Sequence, residues 1–410
     1  MNVLLVHQNF PAQFRYLAPA LAARGDRVVA LCMNDSAPLP GVETIRSRPG
    51  HTSASDGHPW TRDFDAKVIR GHAVLESARR LAAQGFIPEV IIAHPGWGES
   101  LFLKQLWPAA RLGVYCEYFH GAPGSDLGFD PEFPEADPLE AACRQQLRNL
   151  PARLSFDTAD AAMAPTHWQA GTYPETFRRR ITVIHDGIDT RRIRPDPDVA
   201  LQVGTTTLRR GDPVITFAAR NLEPYRGYHV FMRALPELLA RHPAAQVLVI
   251  GGSGTSYGAP PPTGKTWQGV YFAEVSARID RSRVHFLGQL PQAQFRAALQ
   301  LSMVHVYLTY PFVLSWSLLE AMAAGCAVVA SDTAPVREVI SDGETGRLFP
   351  FFDGTALVGQ IGALLASAGE RQRLGAAARQ HVVDTYDLES ICLPQQLAWV
   401  DRLNRPDRST

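Results

Sequence analysis

Val304-His-Val-Tyr-Leu-Thr-Tyr-Pro-Phe-Val-Leu-Ser-Trp-Ser-Leu-Leu-Glu-Ala-Met-Ala-Ala-Gly325 decides the fold. The apolar run Val304–Leu308 reads as a buried strand, and Pro311 punctuates the loop after it. A helix is expected from near Ser317 to Ala324, closed by Gly325, before a further apolar strand at Ala327–Ala330. This is the strand–loop–helix–strand rhythm of a parallel sheet. The amide N–H groups at the helix start, over Ser315–Leu318, form a ready anion site suited to a pyrophosphate. Glu320, one turn in, suits ribose hydroxyls. The same residues have a second reading, because Ser317-x-x-Glu320 also matches a capping box.

The rhythm extends in both directions. Upstream strands are expected at Val3–His7, Val28–Cys32, Val90–Ala93, Gly113–Cys116, Ala161–Ala164 and Ile181–Ile184. Nearer to the quoted stretch they are expected at Val214–Ala218, Val247–Ile250 and Val284–Phe286, and downstream at Arg347–Phe349. Helical patterns alternate with them, among them Phe14–Arg24, Ala66–Gln84 and Tyr228–Arg241. The stretch 191–212 opens with Arg191-Arg-Ile-Arg-Pro-Asp-Pro-Asp198 and lacks apolar periodicity, which reads as a linker. The expected organisation is an α/β chain of two doubly wound, Rossmann-like domains facing across a cleft. The acceptor-side domain spans 1–190, the linker 191–212 and the donor domain 213–385, and a helix within 386–410 returns to the first domain. Met33–Arg62 and Gly251–Trp267 are expected to be irregular loops after strand ends.

Composition narrows the function. The 410 residues carry 40 basic and 40 acidic side chains, so the formal net charge is zero, which disfavours general nucleic-acid binding. Lys67, Lys104 and Lys265 are the lysines; the remaining basic residues are arginines. Five scattered cysteines form no CxxC pair, and the expectation is a reducing cytoplasm. The opening MNVLLVHQNF does not read as a signal peptide. No run reaches about 18 apolar residues. Peripheral contact with the inner membrane face stays open through the amphipathic Leu101–Trp107, for which a core-facing helix is the preferred reading.

Phe217-Ala-Ala-Arg-Asn-Leu-Glu-Pro-Tyr-Arg-Gly227 delivers Arg220 at a strand end and Arg226 just before a helix. Two guanidiniums there suit a diphosphate, since arginine grips phosphate oxygens bidentately. Gly264-Lys265-Thr266 hints at a P-loop but fails. Its spacing from Gly258 is too long, and Pro260, Pro261 and Pro262 lack amide donors. Val247-Leu-Val-Ile-Gly-Gly-Ser-Gly254 is a strand running into a glycine turn, equally readable as a plain tight turn.

With these residues in place, the second half resembles the donor domain of retaining glycosyltransferases of family 4. The resemblance rests on Arg220…Arg226-Gly227, Phe286-Leu-Gly-Gln-Leu-Pro291, Leu318–Gly325, Ala327–Ser331 and Asp342-Gly-Glu-Thr-Gly-Arg-Leu348. In the first half it rests on layout and on Ile184-His-Asp-Gly-Ile-Asp189. It implies the GT-B fold and transfer of a hexose from a nucleoside-diphosphate sugar, UDP- or GDP-linked, to an acceptor hydroxyl with retention. It implies that Arg220 and Arg226 bind the donor diphosphate, with Arg226 where the family usually has lysine. Ser315, Trp316 and Ser317 would line the phosphates and sugar, Glu320 would hold the ribose, and Gly288, Gln289 and Leu290 would flank the base. One departure stands out: Phe312 occupies the position of the first of the family's two glutamates.

In the first half, the family's functional histidine points to His120, with Glu117 as rival, both in Gly113-Val-Tyr-Cys-Glu-Tyr-Phe-His-Gly121. His94, Trp97 and Glu99 in His94-Pro-Gly-Trp-Gly-Glu99, and Asn9 after the first strand, are candidates for the acceptor side. No cofactor and no metal are expected; Asp63-Phe-Asp65 and Asp196-Pro-Asp198 mimic a metal-binding DxD out of context. A glycan, a lipid-linked sugar, a protein or a small molecule would each serve as acceptor. The rival readings are a nucleotide-sugar epimerase on the same fold, a pyridoxal-dependent phosphorylase and a non-catalytic nucleotide-sugar-binding homologue. Phe312 favours the last of these.

Overall fold

The computed structural model describes residues 1–405 apart from 54, 55 and 123. The chain divides into two compact units, Met1–Gly187 with Glu389–Thr410, and Ile188–Leu388.

The first unit is built on a seven-stranded sheet: β1 Asn2–Val6, β2 Arg27–Cys32, β3 Val42–Arg46, β4 Val90–Ala93, β5 Arg111–Tyr115, β6 Ala161–Ala164 and β7 Ile181–Val183. The spatial order is β3-β2-β1-β4-β5-β6-β7, and every pair is parallel. The chain leaves β1 toward β2 on one side and reaches β4 on the other, so the order reverses between β1 and β4. Ligands of such sheets bind beyond the carboxyl ends at that point. Central strands such as Val3–Val6 and Val90–Ala93 are buried on both faces, which is why they read as unbroken apolar runs. β3 was not foreseen; Val-Glu-Thr-Ile-Arg alternates polar residues on the sheet's edge inside the expected 33–62 loop. Leu103 and Trp107 belong to the core, so Leu101–Trp107 faces inward. The C-terminal helix Leu393–Leu403 buries Trp399, Val400 and Leu403 in this unit. Gly113 makes room for it: a Cβ there would lie 2.3 Å from the Trp399 ring.

The second unit repeats the plan. Its strands are β8 Ala200–Val203, β9 Thr206–Arg209, β10 Val214–Asn221, β11 Gln246–Gly252, β12 Val284–Gly288, β13 Val304–Tyr307, β14 Ala327–Ser331 and β15 Arg347–Phe349. The main sheet runs β12-β11-β10-β13-β14-β15, all parallel, with its reversal between β10 and β13. The expected linker 191–212 is a correction. It forms the antiparallel hairpin β8–β9, whose Leu201, Val203 and Leu208 pack with Val214, Leu248 and Leu301. Alternate apolar positions on a short one-sided hairpin supply too little pattern to be seen among prolines. Helices at Trp267–Val275 and Ala368–Tyr386 complete the unit. Among the described residues no helix is long and apolar enough to cross a membrane.

Candidate active site

In the second unit the site grows from the reversal point. β10 ends in Arg220 and Asn221, and a 3-10 turn, Pro224–Arg226, follows. Gly227 then sits at φ 65° and caps that turn. A Cβ on Gly227 would approach Leu308 Cβ to 2.3 Å, so glycine is required for this segment to close against the end of β13. The consequence is the placement of Arg226. It is 5% exposed, and its Nη1 donates to Thr309 Oγ1 at 2.7 Å and to the Val313 carbonyl at 2.9 Å. The guanidinium lies over the rings of Tyr257 (5.2 Å) and Phe312 (6.0 Å). Arg226 is therefore a fixed cation bridging the carboxyl ends of β10 and β13.

The Tyr257 ring is itself positioned. Glu223, 1% exposed, accepts the amides of Ser256 and Tyr257 through Oε2 at 3.0 and 3.2 Å, which ties the 251–267 loop to the arginine turn. Glu223, Tyr257 and Thr309 were not read as site residues, although Glu223 sits between the two arginines in the quoted segment. Phe312 is 6% exposed and packs on Tyr225 (5.5 Å) and Tyr257 (4.8 Å). Position 312, where the family resemblance implies an acid, is thus part of an aromatic wall beside Arg226.

Arg220 is exposed and has no ion pair among the described residues. Its carbonyl faces Gln289 Nε2 at 3.5 Å. Gly252 meets the same group: a Cβ there would lie 2.9 Å from Gln289 Nε2 and 2.5 Å from Asn221 Oδ1. The β10, β11 and β12 ends thereby converge, which places Gly288 and Gln289 near Arg220. Leu290 instead packs against the core under the hairpin.

The helix in the deciding segment runs Trp316–Ala323, so it starts before the expected Ser317. Ser315 is its N-cap: Ser315 Oγ accepts the Ser317 amide at 3.3 Å and lies 2.9 Å from Ser317 Oγ. The Ser315 amide donates to Tyr307 Oη at 2.9 Å, and the Leu318 amide to the Ser315 carbonyl at 3.3 Å. The expectation of open amides at Ser315, Ser317 and Leu318 is corrected, since the serine cap and the neighbouring tyrosine already take them. The capping box is corrected as well, because Ser317 lies inside the helix and Glu320 falls beyond its first turn. Thr266 caps the helix at Trp267 by accepting the Gly269 amide, so it is not a phosphate-loop threonine.

The first unit also gathers polar residues at its reversal point. His94, after β4, accepts the Gly96 amide at Nδ1 (3.2 Å). Its proton therefore rides on Nε2, which donates to Glu117 Oε2 at 3.2 Å. Glu117 Oε1 accepts from Gln13 Nε2 at 2.8 Å. His94 stacks with Trp97 and Tyr115 and meets His7, after β1, edge to face at 5.0 Å. His7 Nδ1 accepts the Asn9 amide at 2.9 Å, and Asn9 Oδ1 accepts from Asn34 Nδ2. Asn9, His94, Trp97 and Glu117, read separately in the sequence, thus form one cluster. His7 and Gln13 join it and were missed, their signal being only their position after the first strand.

Two expected residues behave differently. Glu99 is 0% exposed, and neither carboxyl oxygen has a hydrogen-bond partner among the described residues. It lines no open surface, which corrects its expected direct acceptor contact. Burial pushes its carboxyl up to about 7, opposed by its own backbone amide and by nearby Arg70, His94 and Lys67. His120 has its amide and carbonyl clasped by Asn149 at 3.0 and 2.8 Å. Burial, reinforced by Arg148 and Lys67, holds its imidazole well below the ordinary range, so the ring is neutral. Its Nδ1 is buried and without a partner among the described residues. Among those residues no group of three His, Cys, Asp or Glu side chains is placed to hold a metal ion.

Two family models match the chain. Residues 24–193 match the glycosyl transferase family 4 group and residues 205–381 the glycosyl transferases group 1. A D-inositol 3-phosphate glycosyltransferase of Nocardia farcinica is 30% identical over 241 residues, 57% of this chain. The match spans about half of that relative, 51%. Sucrose-phosphate synthase from Thermosynechococcus elongatus has the same fold, with a TM-score of 0.74 at 20% identity over 98% of this chain and 99% of that one. The Anabaena protein HepE, solved in complex with UDP-glucose, gives 0.67 at 15% identity, covering 98% and 99%.

Proposed function

The chain belongs to the family 4-like glycosyltransferases of GT-B fold, and from that premise we propose that it moves a hexose from a nucleoside-diphosphate sugar to an acceptor hydroxyl, with retention, in glycan or glycoconjugate synthesis. The observation that carries the reading is Arg226, a cation locked by Thr309 and Val313 at the carboxyl edge of the second sheet. The leaving group of such a transfer is a nucleoside diphosphate whose charge grows in the transition state. A preorganised cation meets that charge without reorganising at the moment of reaction. Exposed Arg220 closes on the phosphates from solvent. Bound phosphate displaces Ser315 Oγ from the Ser317 amide, an exchange made easy by a 3.3 Å bond. Glu320 takes the ribose, and Gly288 with Gln289 the base. UDP-linked hexoses are the first donors to test, since HepE was solved with one.

The first unit supplies the acceptor side in this reading. The carboxylate of Glu117, oriented by His94 and Gln13, accepts from a sugar or acceptor hydroxyl. Neutral His120 serves as a hydrogen-bonding partner of the donor sugar, not as a cation. Cofactor and metal take no part in the proposed transfer.

The deciding experiment is thermal stability against UDP, GDP, ADP, dTDP and their hexose conjugates. A ligand at 100 times its Kd adds about 2.7 kcal/mol. A shift confined to one nucleotide and cut by about half or more in Arg220→Ala supports the donor site; no shift with any member refutes it. Phe312 favours a second reading, a nucleotide-sugar-binding homologue without transfer. Nucleoside diphosphate release with a panel of acceptors separates the two. A gain of transfer in Phe312→Glu supports lost chemistry, and a further loss supports a reorganised site.

A further inference from the structure

The segment Arg191–Asp198 plays no part in the donor chemistry, yet it lines a cavity of its own. With Arg296 and Gln300 of the helix Gln292–Leu301, the residues Arg191, Arg192, Arg194 and Asp196 border a cavity of about 830 Å³. All belong to the second unit. Gln300 closes the helix that leads into β13, and Pro195 lies against Gly325, just before β14. A Cβ on Gly325 would approach Pro195 Cγ to 3.0 Å. The cavity therefore sits at the amino ends of β13 and β14. Arg226, Thr309 and Ser315 lie beyond the carboxyl ends. These are opposite edges of a parallel sheet, so an occupant of this cavity is not the donor diphosphate.

Positive charge converges here. Four arginines and one acid line the hollow, and Asp196 Oδ1 is engaged by the Asp198 amide at 3.0 Å. Arg192 has Asp189 at 3.4 Å. Arg194 and Arg296 have no ion pair among the described residues. The turn that presents Arg194 is braced: its carbonyl accepts from Gln300 Nε2 at 2.7 Å. Arg379 braces the other side through the carbonyls of Ile193 and Thr190, at 3.0 and 3.3 Å, and Arg210 donates to the Gln300 carbonyl at 3.0 Å. In a chain with equal numbers of acids and bases, so many arginines around one hollow are a local excess. The guanidinium fork matches phosphate oxygens bidentately, and the concave shape suits a compact anion.

We propose that this cavity is a second anion site, at the sheet edge opposite the donor residues, that takes a soluble, multiply charged phosphate compound such as a sugar phosphate or polyphosphate. The test is hydrogen exchange of the full chain with and without sodium tripolyphosphate, at ionic strength matched with sodium chloride. Slower exchange in 189–197 and 292–301 is expected. It disappears in Arg194→Gln/Arg296→Gln and persists in Arg220→Ala, whereas protection around 220–227 is expected to weaken in Arg220→Ala. The glutamine variant removes unpaired charges from exposed and half-buried positions, so it is expected to fold, and an unchanged melting temperature checks this. Absence of protection in 189–197 and 292–301, or protection that survives the double variant, overturns the proposal. Protection by phosphatidylglycerol vesicles but not by tripolyphosphate also overturns it, in favour of a lipid headgroup.

Discussion

Glu99→Gln is expected to make the protein more stable above neutral pH and to leave it unchanged in acid. Glu99 is wholly buried with both carboxyl oxygens unpartnered among the described residues, and its pKa is pushed from 4.5 to about 7, chiefly by burial. At about 1.36 kcal/mol per pH unit, that displacement corresponds to about 3 kcal/mol. The sign follows from which form the fold prefers. The folded state favours the protonated carboxyl, so its contribution is complete below pH 4.5 and is lost as the pH rises through about 7. Glutamine keeps the shape and polarity but cannot ionise, so the variant escapes that loss. Thermal unfolding of both proteins from pH 4.5 to 8.5 is the assay. For a unit of this size, 1 kcal/mol moves Tm by about 2–4 °C. The curves are expected to coincide near pH 4.5 and to separate by about 6–12 °C at pH 8.5, with Glu99→Gln higher. Subtracting the two profiles removes the titrating groups that do not interact with Glu99. Parallel curves, or a gap that does not change with pH, would refute the reasoning.

Three further outcomes are expected. Gly227→Ala combines the left-handed backbone, worth about 1–2 kcal/mol, with a Cβ on top of Leu308, whereas Gly264→Ala meets only the backbone term at φ 75° in open space. The Tm of Gly227→Ala therefore falls further, and equal losses would show that Leu308 yields freely. Arg220→Ala leaves the Tm of the ligand-free protein unchanged, because the side chain is exposed and without an ion pair among the described residues. It lowers nucleoside-diphosphate affinity by about tenfold or more, as expected for a charged hydrogen bond of about 1.5–3 kcal/mol, and calorimetric titration checks both halves. Phe312→Glu lowers the ligand-free Tm by breaking the wall formed with Tyr225 and Tyr257, and it weakens nucleoside-diphosphate binding by placing an acid beside Arg226; unchanged binding by titration counts against the assigned role of Arg226.

What the sequence disclosed follows from burial. Strands covered on both faces, such as Val3–Val6 and Val247–Ile250, show as continuous apolar runs and were readable. β3, β8 and β9 were not, because one-sided or edge strands keep polar residues at alternate positions and lie among glycines and prolines. The helix Tyr228–Arg241 was readable to its ends, since Gly227 and a clear amphipathic period bracket it. The helix at Trp316 was displaced because Ser315 and Ser317 both qualify as caps, and local pattern does not choose between them. In the site, the two arginines were legible from their place after a strand end. Their supports were not, because Thr309, Tyr257 and Glu223 come from separate segments that only the folded sheet unites. Glu99 misled for the opposite reason: an acid in a glycine-rich turn ordinarily faces water, and nothing local announces its burial.

The same supports explain how this chain accommodates phenylalanine at position 312. An acid there would stand against Arg226 and neutralise part of the charge that the proposed function assigns to the leaving diphosphate. Phe312 instead offers the guanidinium a ring face at 6.0 Å and Tyr257 offers another at 5.2 Å. Rings hold the cation in place while leaving its charge uncancelled. The anchoring that a carboxylate would provide is taken by the Thr309 hydroxyl and the Val313 carbonyl, which carry no net charge. Glu223 is the nearby acid, and its Oε2 is committed to the amides of Ser256 and Tyr257. On the proposed reading the second unit favours a diphosphate cation at the expense of an acid for the sugar, and this predicts donor binding governed by the nucleoside diphosphate more than by the identity of the hexose.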